Sequence, residues 1–169
     1  MKGHLEYTAM TYFVLGSGLL QRGDSVLLVR CHYDAEPENL WTLPGGRQEA
    51  GEFLVDTVRR EFLEEASLTV AVRELAYVSE SVDLEIDLHV LNCTFLIDEV
   101  NPAAQARPAD SKVLEARFVP VADAPALLRA DVLRIPVAAA LSGAPYPHYF
   151  SFRAKDIVVP FFSNRRKRS

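Results

Sequence analysis

The chain lacks several things, and each absence excludes something. No stretch approaches the roughly 18 uninterrupted apolar residues of a membrane-spanning helix, so a membrane partner is not expected. The first residues, Met1 to Glu6, carry neither the apolar core nor the small-residue cleavage pattern of a secretory signal. Cysteine is scarce. Cys31 and Cys93 form no Cys-x-x-Cys and no ligand cluster, which argues against a zinc site or a disulfide framework. Each lies in or beside an apolar run and reads as a small free core thiol, consistent with a reducing, cytoplasmic location. Positive charge is not in excess. Eighteen Lys and Arg against 23 Asp and Glu leave a net charge of -5, which disfavours a bulk electrostatic grip on DNA or RNA. A phosphate-bearing ligand would then need some other neutralising agent, and metal ions are the natural one.

What is present suits one domain across residues 1–169, long enough to bury a real core, with 49% hydrophobic and 24% charged residues. Residues 8–20 and Ser25–Arg30 are β-prone and flank the turn signal Arg22-Gly23-Asp24, so a hairpin is expected. A short strand follows at Leu40–Leu43, and Pro44-Gly45-Gly46 should break regular structure. Residues 52–66 read as a helix, because Leu54, Val55, Val58, Phe62 and Ala66 make one apolar stripe. Ala71–Ser81, Ile86–Ile97 and Val113–Val119 read as strands. Asp98–Lys112 is a loop long enough to suggest function, and is expected to be mobile without substrate. Helices are expected near Asp123–Ala130 and Pro136–Leu141, with proline suited to a first turn. The aromatic segment Ala144–Pro160 can pack on the body or on a second subunit, which leaves a homodimer open. Residues 164–169 form a basic tail that reads as disordered.

Chemistry concentrates between Gly46 and Leu68. On a helix, Glu61, Glu64 and Glu65 fall within a sector of about 100°, beside the apolar stripe. Like charges at that spacing repel unless something offsets them, and Arg60 relieves only part. Mg²⁺ or Mn²⁺ suits such an all-oxygen, sulfur-free group. A solvated acidic helix face is the plain alternative.

The flanking residues decide between these readings. Gly46, Glu52, Arg60, Glu61, Phe62, Glu64, Glu65 and Leu68 match eight of the nine specified positions of the Nudix box over 23 residues. The lead-in Trp41-Thr42-Leu43-Pro44-Gly45-Gly46 is also similar to that family's. The departure is Ser67, where the family has glycine. Serine in a left-handed helix exit costs roughly 1 kcal/mol.

The resemblance implies an α+β fold, an α/β/α sandwich with a mixed sheet. It implies a Mg²⁺- or Mn²⁺-dependent pyrophosphohydrolase acting on a nucleoside-diphosphate-linked small molecule. The Gly46 carbonyl, Glu61, Glu64 and Glu65 would hold metal. Arg60 would orient a box carboxylate, and Glu52 would support the segment from its start. For the general base the family offers either a box Glu, here Glu61, or an acid outside the box. Glu115 precedes Ala-Arg-Phe-Val-Pro, similar to the family's acid-before-strand segment, and ranks ahead of Asp110 and Glu99. A plain strand-edge glutamate is the other reading of Glu115.

The family's Pro of ADP-ribose hydrolases, sixteen residues after the box, is Leu84 here. The Tyr of dinucleoside-polyphosphate hydrolases, one residue later, is Glu85. An RNA-end-processing enzyme, hinted at by the basic tail, and a non-catalytic binding module are the competing functions. His4, His32, His89 and His148 are scattered without ligand spacing, although His32 and Tyr33 could stack on a base. Trp41 reads as core packing.

Overall fold

The computed structural model describes residues 9–33 and 38–153. The N-terminal residues with His4, residues 154–160 of the aromatic segment and the basic tail lie outside them.

The hairpin forms, but only at its turn. Strands β1 (Thr11–Arg22) and β2 (Ser25–Cys31) pair through Gln21 with Val26 and Arg22 with Ser25. The remainder of that β1 edge is taken by β4 (Gly45–Arg47), antiparallel, with Gly46 opposite Gly16. The expected break at Pro44-Gly45-Gly46 is therefore corrected, since both glycines belong to a three-residue strand. Their missing side chains allow this, because a Cβ on Gly45 would lie 2.5 Å from that of Ser17. β2 meanwhile pairs with β3 (Leu40–Thr42) and with β7 (Val113–Pro120). The other edge of β1 runs parallel to β6 (Leu88–Glu99), which pairs antiparallel with β5 (Val70–Asp83). The sheet order is β3-β2-β1-β6-β5-β8, with β4 on β1 and β7 on β2. β8 (His148–Arg153) lies parallel to β5, so this part of the aromatic segment packs on the body as a sheet strand.

Both faces are covered, and strand periodicity shows how. Leu20, Leu27 and Val29 pack with Val58, Phe62 and Ala66 of helix α1 (Leu54–Ala66). Their neighbours Leu19, Val26 and Leu28 pack on the other side with Val137 and Ala140 of α3 (Asp131–Leu141). α2 (Ala124–Leu127) is a single turn, shorter than expected. The result is the mixed-sheet α+β sandwich anticipated from the sequence. Gly18 sets the depth of α1, because a Cβ there would meet the Phe62 ring at 2.5 Å.

Pro136 lies inside α3, not in its first turn, and this too is a correction. Proline frees the carbonyl four residues back, that of Val132. The Ser79 hydroxyl donates to that oxygen at 3.4 Å, so a sheet residue replaces the lost helix bond. Cys31 and Cys93 are buried free thiols. Burial pushes the Cys31 thiol up to about 12. No helix among the described residues is long and apolar enough to cross a membrane.

Candidate active site

Helix α1 carries the acidic face and β4 receives it. Glu61 and Glu65, on the buried side of α1, are 9% and 8% exposed. Glu65 accepts a hydrogen bond from the Gly45 N–H at 2.9 Å. Glu61 lies against Gly46 so closely that a Cβ at Gly46 would sit 2.1 Å from Oε1. Any side chain at position 46 would displace that carboxylate. Glu64, one turn from Glu61 and next to Glu65 in the chain, is exposed.

Arg60 fastens the group to the segment ahead of the helix. Its Nε donates to Glu52 Oε1 at 2.8 Å and its Nη2 to Glu52 Oε2 at 3.2 Å, a two-point grip. Nη2 also donates to the Arg47 carbonyl at 3.1 Å. Nη1 spans Glu61 at 2.8 Å and Glu64 at 3.3 Å. Glu52 further accepts from the Glu49 N–H and the Thr57 hydroxyl. These contacts, with Arg60 foremost, hold the Glu52 carboxyl down at about 2. Glu52 and Arg60 thus tie the start of α1 to the segment before it.

The two inner carboxylates are under the opposite stress. Burial raises the Glu61 carboxyl despite the opposing Arg60 charge. Burial raises Glu65 well above its ordinary range, against the Gly45 hydrogen bond, and the charges of Glu61, Asp110 and Glu64 add to the rise. Negative charge here is under-compensated by the protein itself. Hard oxygen donors with surplus negative charge fit a divalent cation of the Mg²⁺ or Mn²⁺ class. Among the described residues no three His, Cys, Asp or Glu side chains are arranged to hold an ion. The reason is visible. Arg60 Nη1 occupies Glu61 and Glu64, and Glu65 is turned towards Gly45.

The base candidates separate by face. Glu115 pairs across the sheet with Arg30, and its neighbours on that face, Leu28 and Val119, pack on the α3 side. It therefore points away from α1, and its carboxylate is held by Arg30 at 3.2 Å and Arg117 at 3.0 Å. The structure does not bring Glu115 to the box, contrary to its ranking from sequence. Strand alternation is the cause. Glu99 pairs with Arg22. Asp110 is brought to the C-terminal end of α1, where its N–H bonds the Glu64 carbonyl.

Asp110 arrives on a tethered loop. Its N–H and that of Ala109 donate to the Glu64 carbonyl at 2.8 and 3.1 Å. The Arg107 N–H donates to the Ala66 carbonyl at 2.9 Å, and Arg22 reaches the Ala104 carbonyl at 3.0 Å. The expected mobile loop is pinned along the C-terminal end of α1. The sequence marked this loop and the Pro-Gly-Gly lead-in, but not the Gly45 N–H that holds Glu65 or the backbone bonds that tie the loop to α1.

His32 hydrogen-bonds Asn39 at 3.0 Å, and Tyr33 packs against the α1-side core, which favours structural roles for both. His89 and Glu80 are partners on β6 and β5. Trp41 packs against the α3-side core, with the Arg117 and Arg30 guanidinium groups 4.9 and 5.8 Å from its ring.

The fold and this box-on-helix site define a class. The NUDIX domain profile matches residues 14–141, and the chain belongs to the Nudix family. It is 30% identical over 110 residues to an ADP-ribose pyrophosphatase of Methanocaldococcus jannaschii, covering 65% of this chain and 63% of that one. It is 31% identical over 125 residues to an 8-oxo-dGDP phosphatase of Mus musculus, covering 73% of this chain and 37% of that one. The chain thus spans less than two thirds of the length of these curated relatives. A Nudix hydrolase structure from Nitrosomonas europaea superposes with a TM-score of 0.64 at 24% identity, over 88% of this chain and 82% of that one.

Proposed function

We propose that the protein is a divalent-metal-dependent pyrophosphohydrolase that cleaves a nucleoside-diphosphate-linked small molecule. The observation that carries this reading is the set of Glu61, Glu64 and Glu65 on α1, closed against Gly45–Gly46 and under-compensated in charge. The names of two relatives, an ADP-ribose pyrophosphatase and an 8-oxo-dGDP phosphatase, share a nucleoside diphosphate as the reacting unit. That shared chemistry supports the substrate class. Leu84 and Glu85, in the turn after β5, stand where two substrate subfamilies have Pro and Tyr, so no single compound is assigned.

Glu61, Glu64, Glu65 and the Gly46 carbonyl would hold Mg²⁺ or Mn²⁺. When bound, the ions lower the pKa of water and stabilise charge on the phosphate oxygens. With metal bound, Glu52 would keep its grip on Arg60 Nε and Nη2, and Glu61 and Glu64 would serve the ions in place of Arg60 Nη1. Asp110 is assigned as the general base. It accepts a proton from the attacking water, a new P–O bond forms, and the bridging P–O bond breaks. A nucleoside monophosphate and a second phosphorylated fragment leave. Asp110 Oδ1 accepts a hydrogen bond from the Lys112 N–H at 2.7 Å, which fixes the carboxylate. We assign the proton to Oδ2.

A panel of ADP-ribose, 8-oxo-dGDP, nucleotide sugars and dinucleoside polyphosphates, assayed with Mg²⁺, Mn²⁺ or chelator, tests the proposal. Cleavage of at least one member, dependent on metal, supports it. Cleavage undiminished by chelator, or of no member, overturns it.

A further inference from the structure

Ser67 ends helix α1 in the left-handed region, with φ 57° and ψ 31°. The Ser67 N–H bonds the Leu63 carbonyl at 3.1 Å and the Leu68 N–H bonds that of Phe62 at 3.2 Å, the backbone pattern of a glycine-type helix exit. Glycine would serve that exit better, since serine bears a Cβ where the conformation disfavours one. The serine hydroxyl does something glycine cannot. It donates to the Arg107 carbonyl at 2.8 Å. The Arg107 N–H returns a bond to the Ala66 carbonyl, next to Ser67 in the chain. Residues 66–67 and 107 therefore clasp each other in both directions.

That clasp stands three residues before Asp110, whose own N–H is bonded to the Glu64 carbonyl. This puts the loop at the carbonyl end of α1, where the Asp110 charge adds to the rise of the Glu65 carboxyl. Backbone bonds to the Glu64 and Ala66 carbonyls and the Ser67 clasp hold the loop there.

We propose that Ser67 is a positioning residue for the general base, fixing the 107–110 segment on α1 so that Asp110 faces the carboxylate group. The inference rests on the assignment of Asp110 as base. It gives stability and turnover opposite signs at one position.

The test uses the full chain and three variants, Ser67→Gly, Ser67→Ala and Asp110→Asn, with the double variant of the first and last. Ser67→Gly should raise Tm and speed amide hydrogen exchange at Ala109 and Asp110 without substrate. It should lower kcat about fivefold, the worth of one ordinary hydrogen bond, with KM changed less than twofold. Ser67→Ala should lose the same activity without the gain in Tm. In the Asp110→Asn background Ser67→Gly should change kcat no further. Wild-type kcat and exchange in Ser67→Gly, with Asp110→Asn inactive, would overturn the role of Ser67 and leave Asp110 standing. Wild-type turnover in Asp110→Asn would overturn the base assignment itself, and the Ser67 proposal with it.

Discussion

The Glu61 carboxylate fills the space that a side chain on Gly46 would need, with Oε1 2.1 Å from the position of that missing Cβ. The first residue of the box and its first helical glutamate are thus one steric unit. Gly46→Ala must push Glu61 off β4. A displacement of about 1 Å in such a site lowers turnover on the order of 100-fold. Mn²⁺ affinity should fall as well, while the far-ultraviolet circular dichroism spectrum stays unchanged. Retention of both wild-type affinity and wild-type turnover would show that Glu61 has room to move.

Glu65 predicts a pH-dependent stability. Its carboxyl is raised on folding, chiefly by burial, so the folded state takes up a proton more readily than the unfolded chain. The stabilising contribution is full below the unfolded pKa, near 4.3, and is lost as pH rises through the folded value. Glu65→Gln keeps an acceptor for the Gly45 N–H and removes the charge. Without metal its Tm should equal that of wild type near pH 4 and exceed it by several degrees at pH 8. Thermal melts in chelator across that range check this, and a variant less stable at pH 8 would contradict it.

Glu115 and Asp110 divide cleanly. Glu115→Gln loses two half-exposed ion pairs with Arg30 and Arg117, each worth about 1 kcal/mol or less. Turnover should stay within about threefold of wild type. Asp110→Asn should lower kcat by 100-fold or more, within the usual range for a general base, while Mn²⁺ affinity is nearly kept. Steady-state kinetics beside a Mn²⁺ titration reads both, and a severe loss in Glu115→Gln with an active Asp110→Asn reverses the assignment.

Gly18→Ala places a methyl group 2.5 Å from the Phe62 ring and 2.6 Å from Ile97. Overpacking of this kind costs about 1–3 kcal/mol, so Tm should drop by several degrees. Because α1 is lifted with its glutamates, activity should fall further than the stability loss alone explains. Melting curves and turnover measured well below Tm separate the two effects.

The parts of this molecule written in short-range pattern were legible in the sequence. Helix α1 combines an apolar stripe with an acidic face, and both survive because they are set by spacing within one element. The longer strands were legible for the same reason, whereas β4 and β8 were not read as strands. Partnership was not legible. β1 and β2 look like a hairpin, yet β4 takes the edge that a full hairpin would need. The side of the sheet on which Glu115 points depends on which face α1 covers, which no local pattern states. Asp110 reaches the site through backbone bonds between a loop and a helix end more than 40 residues away, and backbone donors leave no mark on the sequence. Ser67 was visible as a departure from the box, but its partner, the Arg107 carbonyl, was not.

The central claim is that the α1 carboxylates bind the metal ions that make the chain a hydrolase. Mn²⁺ binding followed by electron paramagnetic resonance, on wild type, Glu64→Gln and Glu65→Gln, beside turnover of the same samples, tests it most directly. The account predicts that each variant remains folded, binds Mn²⁺ at least tenfold more weakly, and loses at least ~100-fold in turnover, comparable to removal of one strong transition-state contact. Variants that bind Mn²⁺ and turn over substrate as wild type does would contradict it, and would reduce the acidic face of α1 to solvated charge.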